Sequence, residues 1–144
     1  MTKHPGLSIC VPMTIRFFDV DAMHIVWHGH YVKYLEIARC ALLDKLGYNY
    51  DAMRAAGYVW PIVTMQLKYV RPAVFGQQVL VQAHIREWES RLRIAYVITD
   101  AVSGERLTQA ETTQVAVLLE NREMQFDTPQ DWQDIIRRAM QSEV

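Results

Sequence analysis

MTIRFFDVDAMHIVWHGHYVKYLEIARCALLDKLG, residues 13–47, is the stretch on which the fold turns. Its second half carries the period of a helix. From about Gly29 to Leu46 the apolar Tyr31, Leu35, Ala38, Leu42 and Leu46 recur at helical spacing, with Lys33, Glu36, Cys40 and Asp44 away from them. That pattern predicts one amphipathic helix. Gly47 follows the last periodic residue, where a residue without Cβ adopts the left-handed C-cap at least cost. The first half reads differently: Met13 to Phe18 predicts a short strand that ends in an acidic turn, Asp19-Val20-Asp21.

Beyond Gly47 the stretch through Asp51 and Gly57 reads as an irregular, mobile connection, and four segments rich in Val, Ile, Thr, Tyr and Trp follow it. Val59, Pro61, Val63, Met65, Leu67 and Tyr69 alternate with more polar neighbours until Arg71-Pro72 ends the run. Val79, Val81, Ala83 and Ile85 alternate with Gln82, His84 and Arg86. Glu89-Ser90 predicts a tight turn into Leu92, Ile94, Tyr96 and Ile98, and Asp100 to Glu105 a second turn into the long run from Leu107 to Leu119. The expected arrangement is an antiparallel meander. A last short strand around Met124 to Phe126 precedes Asp127-Thr128-Pro129, which opens a C-terminal helix from about Gln130 to Met140.

One strand, one long helix, then four or five antiparallel strands is an α+β layout in which the sheet can wrap around the helix. A single helix covers one face of such a sheet. The uncovered surface and its edge strands therefore predict self-association, with a dimer as the minimum.

Composition bounds the function. The 144 residues, 51% hydrophobic and 22% charged, suffice for one domain over residues 1–144 with a real core. A net charge of -1 and a pI near 6.5 supply no basic field, so nucleic acid is not an expected partner. Met1 to Pro12 lacks a sustained apolar stretch with a small-residue cleavage site, and no window reaches the roughly 18 apolar residues of a membrane span. Cys10 and Cys40 lie far apart without CxxC spacing, which fits two reduced thiols in the cytoplasm.

The densest polar cluster, Phe18 to Tyr31, lies between the first strand and the long helix. A helix N-terminus presents unpaired backbone N–H groups and a positive dipole end, so it can stabilise an oxyanion. A carboxylate just before it can attack a carbonyl or activate water. Phe18-Asp19-Val20-Asp21 through Ile25-Val26-Trp27-His28-Gly29-His30-Tyr31 resembles the signature of the 4-hydroxybenzoyl-CoA thioesterase family, including its YbgC-like acyl-CoA branch. Lys33-Tyr34-Leu35-Glu36-Ile37-Ala38-Arg39 resembles that family's helix, and Lys68-Tyr69-Val70-Arg71-Pro72-Ala73 its strand ending in a proline.

The resemblance implies a hot-dog fold, an antiparallel β-sheet wrapped around one long central helix, and a thioester of coenzyme A or acyl carrier protein as substrate. It also implies no metal, no cofactor, and an active site shared across the interface of a homodimer or homotetramer. The family's nucleophile or general base falls on Asp21, and the residue whose backbone N–H polarises the thioester carbonyl falls on His28, whose side chain the YbgC-like branch also uses. Three positions depart from the pattern: Met23-His24 stands where the family has Gly-Gly, Phe17 where the YbgC-like branch has Tyr, and His30 where Asn is common.

Read without the family, Asp19 is a strand-end turn carboxylate and His28 a helix-capping residue. His24, His28 and His30 imitate a metal cluster, but no acidic or Cys partner accompanies them. Arg71 and Arg91 are the candidates to meet coenzyme A phosphates, because guanidinium forks match phosphate geometry; charged strand edges also serve solubility. Tyr31, Tyr34, Trp60 and Trp88 read as core or interface aromatics. Two other functions are compatible with the fold: a hot-dog hydratase or dehydratase, and a non-catalytic acyl-CoA-binding module.

Overall fold

The structure, a computed structural model, describes residues 4–142. After a single 3-10 turn at Pro5–Leu7, strand β1 runs from Ser8 to Thr14. It lies earlier than the strand expected over Met13–Phe18, and Phe17–Asp19 instead forms a second 3-10 turn. Pro12 sits in β1, and a residue with no N–H is tolerated there because β1 is an edge strand. Past Thr14 the Ile15 amide bonds Gln77 O at 2.9 Å and the Asp19 carboxylate accepts the Arg16 amide at 3.0 Å, which turns the chain out of the ladder.

Helix α1 spans His30–Leu46 and stops at Gly47, whose φ of 76° is left-handed as expected. The connection expected to be mobile contains a short helix, α2, Tyr50–Ala55. Its start is fixed by the Asn49 side chain, which accepts the Ala52 amide at 2.9 Å. Strands β2 (Tyr58–Val59), β3 (Ile62–Tyr69), β4 (Gln78–Glu87), β5 (Leu92–Asp100), β6 (Arg106–Gln114) and β7 (Val117–Leu118) follow, then helix α3 (Gln130–Gln141).

The main sheet has the antiparallel order β1-β4-β5-β6-β3. The expected meander holds for β4, β5 and β6 only. β1 occupies the free edge of β4, with Val11 opposite Val81, so β3 pairs instead with β6, with Leu67 opposite Ala110. The segment joining β3 to β4 therefore crosses from one edge of the sheet toward the other. The single run expected from Leu107 to Leu119 breaks between β6 and β7, where β7 pairs with β2 in a separate two-stranded sheet. The expected strand near Met124 reduces to one bridge, Val117 to Met124.

The alternation in β4 and β5 does what its period requires. Val79, Val81, Ala83 and Ile85 face inward with Leu92, Ile94, Tyr96 and Ile98, and α1 packs on β1 and β4 through Tyr31, Leu35, Ala38 and Leu42. Trp132 of α3, Tyr48 and Trp60 close one end of this core as a cluster of tilted and edge-on rings. Periodicity understated the buried face of α1, which also includes Tyr34, Leu43 and Arg39. Arg39 is accommodated because its Nε donates to the Tyr50 hydroxyl at 3.0 Å and its guanidinium pairs with Glu36.

Candidate active site

The loop from Asp19 to Gly29 is a small hairpin laid against the N-terminus of α1. Val20 bridges Val26, the Asp21 amide donates to Ile25 O at 3.0 Å, and the Trp27 amide donates to Asp19 O at 3.1 Å. At the tip the His24 amide donates to Asp21 O at 2.9 Å, and His24 takes a φ of 63°. This is the left-handed position for which glycine would be the least strained choice, here filled by a histidine.

The two aspartates have opposite surroundings. Asp19 is 2% exposed. Its carboxylate accepts the Arg16 amide and the ammonium of Lys33, one turn into α1. Burial alone would push this carboxyl up, but the Lys33 ammonium and its charge, the Arg16 amide and the Tyr34 hydroxyl together offset it and hold Asp19 below its ordinary value. Asp19 is thus the turn carboxylate that sequence reading made it, but one buried in an ion pair. Tyr34 stands on the same side, its phenol pushed up by burial and by the Asp19 charge.

Asp21, two residues on, points into solvent. Among the described residues, its carboxylate accepts a hydrogen bond from the Met23 amide alone, at 2.8 Å. The second carboxylate oxygen is free to meet a ligand.

Trp27-His28-Gly29 leads into the helix. The Trp27 indole lies against His28, with ring centroids 5.0 Å apart, and crosses Gly29 so closely that a Cβ there would sit 2.2 Å from the ring. Only glycine fits beneath that ring as it lies. The backbone N–H groups of His28 and Gly29 donate to no group among the described residues. They sit at the positive end of the α1 dipole, on the same loop as Asp21. A solvent-facing carboxylate on the same hairpin as unpaired amides at a helix N-terminus can combine a base or nucleophile with donors for a developing oxyanion.

A second segment, between β3 and β4, straps this helix end in place. The Tyr69 hydroxyl donates to His28 O at 3.2 Å, the Ala73 amide to the Tyr31 hydroxyl at 3.1 Å, and the Val26 amide to Ala73 O at 2.9 Å. Sequence reading matched Tyr69 to Ala73 as a motif and missed this duty, because bonds across some 40 residues leave no periodic signal.

The two candidate phosphate ligands lie apart. Arg71 belongs to the strap and pairs with Glu105. Arg91 sits at the β4–β5 turn, 3.1 Å from Glu87, at the far end of a ten-residue strand from the Asp21 loop, roughly 30 Å away along it. Among the described residues no group of three or more His, Cys, Asp or Glu converges as a metal site would, and no helix is long and apolar enough to cross a membrane.

Comparison with known proteins places this geometry among relatives. The profile of the thioesterase-like superfamily matches residues 15–139, which includes the loop, α1 and the strap. The YneP protein of Bacillus subtilis (strain 168) is 31% identical over 74 residues, 51% of this chain and 54% of that one, so the match spans about half of that relative. The acyl-CoA thioester hydrolase YbgC of Escherichia coli O157:H7 is 26% identical over 102 residues, 71% of this chain and 70% of that one. Among solved structures, a 1,4-dihydroxy-2-naphthoyl-CoA thioesterase from Synechocystis superposes with a TM-score of 0.81 at 23% identity, covering 90% of this chain and 96% of that one. That likeness establishes the hot-dog fold.

Proposed function

The chain belongs to the thioesterase-like superfamily, and from that premise we propose that it is a single-domain hydrolase of acyl thioesters of coenzyme A or acyl carrier protein. The observation that carries the reading is the pairing of a solvent-facing Asp21 with the unpaired His28 and Gly29 amides at the start of α1. The acyl carbonyl oxygen docks at those amides, which stabilise the negative charge it gains as the carbon becomes tetrahedral. Asp21 either takes a proton from the attacking water or attacks the carbonyl itself to form an anhydride that water then opens. In both routes the C–S bond breaks, one water is consumed, and a carboxylic acid and a free thiol leave. The His28 side chain, exposed and tilted against the Trp27 ring, lies on this loop, and Arg71 on the strap is assigned to the carrier's phosphates, whereas Arg91, at the far end of β4, is too remote to serve them from the same protomer.

A second copy completes this site in the proposal. β3 is an edge strand whose outer backbone edge has no partner among the described residues. Val63 and Tyr69 on it are half exposed, and α1 packs on the opposite half of the sheet. Pairing of two copies along this edge removes a sticky strand and brings a partner surface to the α1 side. Two free cysteines, Cys10 and Cys40, fit a reducing cytoplasm.

The deciding experiment measures free thiol release from a panel of aliphatic and aryl acyl-CoA and acyl carrier protein thioesters. Turnover of at least one class is expected. No release from any, with tight binding of the same ligands, would make the chain a binding module.

A further inference from the structure

The following rests on the reading of Asp21 as the reacting carboxylate. We propose that Lys33 is a positioning residue for that reaction, holding Asp19, and through Asp19 the hairpin that carries Asp21, in register with the N-terminus of α1.

The strap holds the hairpin on its outgoing side and at its tip, where the Phe75 amide donates to His24 O at 3.4 Å. The outgoing arm is tied through Val26 to Ala73 O and through the Ile25–Val74 bridge. The helix end is tied to the same strap through Tyr31 and Tyr69. None of these ties acts on the incoming arm, the one that bears Asp21. Toward the body of α1, that arm is held by the ion pair between Lys33 and the Asp19 carboxylate, with the Tyr34 ring on the same side.

Asp19 transmits what Lys33 fixes. Its carboxylate holds the Arg16 amide, which closes the 3-10 turn entering the hairpin, and its carbonyl holds the Trp27 amide, which starts the approach to the helix. Two residues further on, Asp21 bonds across to Ile25. The position of Asp21 relative to the His28 and Gly29 amides is therefore set from the base of the hairpin, where Asp19 sits.

The geometry also excludes a more obvious duty for Lys33. A lysine in the first turn of this helix invites assignment to a carrier phosphate, but its ammonium is spent on a carboxylate with almost no access to water. Its ammonium also faces two rings, with Nζ 5.5 Å from the Phe18 centroid and 5.4 Å from that of Tyr34. Glu36, the next carboxylate along α1, does not compete, because it pairs with Arg39. Without a counter-charge a buried Asp19 is costly, so the loop has a physical reason to move when Lys33 is lost.

The test compares Lys33→Met and Lys33→Arg with the wild type in thiol release and in amide hydrogen exchange. Lys33→Met is expected to lower kcat roughly ten- to hundredfold with KM changed less than about threefold, since a misplacement near 1 Å costs that much when the substrate still binds. Lys33→Arg keeps the charge and restores most of kcat. In Lys33→Met the Arg16 and Trp27 amides, both bonded to Asp19, exchange faster, while the Ile94 amide in the core of β5 is unchanged. Unaltered kcat in Lys33→Met overturns the proposal, as does faster exchange of Ile94 in step with Trp27, which would mean general destabilisation. A wild type that releases no thiol sinks the thioesterase reading separately, and exchange at Arg16 and Trp27 still decides whether Lys33 holds the hairpin.

Discussion

Asp19 and Asp21 differ by two positions in sequence and carry the same charge, yet replacing each by Asn should have unlike consequences. In Asp19→Asn the shape is kept, but the amide can offer its single oxygen to the Arg16 amide or to Lys33, not to both. One strong bond is lost and an NH2 group is turned toward a donor. Removing one partner of a fully buried pair costs about 3–5 kcal/mol. Lys33 is 42% exposed and regains water, so about 2–3 kcal/mol is the better figure here. For a chain of this size that lowers Tm by about 5–12 °C.

Asp21→Asn removes a charge already in solvent and keeps an oxygen for the Met23 amide, so its stability change stays within about 0.5 kcal/mol. Its kcat should fall about 10²- to 10⁴-fold with little change in KM, because an amide neither attacks a carbonyl nor accepts water's proton. The sign with pH also separates them. Asp19 sits below its ordinary value in the fold, so its stabilisation is complete above the unfolded carboxylate's pKa near 3.9 and fades as pH falls through the lowered folded value. Asp19→Asn should lose that part of the acid dependence. Thermal melts from pH 7 to pH 3, together with thiol release, measure all of this. If Asp19→Asn melted with the wild type while Asp21→Asn melted early, the assignment of buried and reacting carboxylates would be reversed. Full activity in Asp21→Asn would move the chemistry to another residue.

Three further outcomes are expected. At His24, held at a φ of 63°, Gly should change stability by less than about 0.5 kcal/mol, while the β-branched His24→Val should cost more than about 1 kcal/mol; equal melting of the two would mean that the turn is not left-handed. Gly29→Ala should drive the Trp27 indole off the helix N-terminus, seen as a shift of its Nε1–H resonance in NMR; an unshifted resonance would show that the ring does not lie there. Thiol release should survive EDTA, because carbonyl polarisation is assigned to backbone N–H groups; loss with EDTA and recovery with zinc would overturn that assignment.

Local pattern by itself determined helix α1 and its stop at Gly47, the strands β4, β5 and β6, and helix α3, because in each the period of apolar residues coincides with the face that is buried. It also pointed to Phe18–Tyr31 as the candidate chemical segment, since the density of polar groups before a helix is visible in the chain. Tertiary structure decided the rest. The start of β1 depended on its being an edge, where Pro12 is harmless, and the place of β3 depended on β1 having taken the open side of β4. Neither is a property of the residues concerned. The difference between Asp19 and Asp21 is of the same kind: both are carboxylates in one turn, and only a lysine 14 positions away from the first makes it a buried anchor and leaves the second to face solvent. Ion pairs and straps that join distant segments follow no sequence period, so they become legible only when the chain has closed on itself.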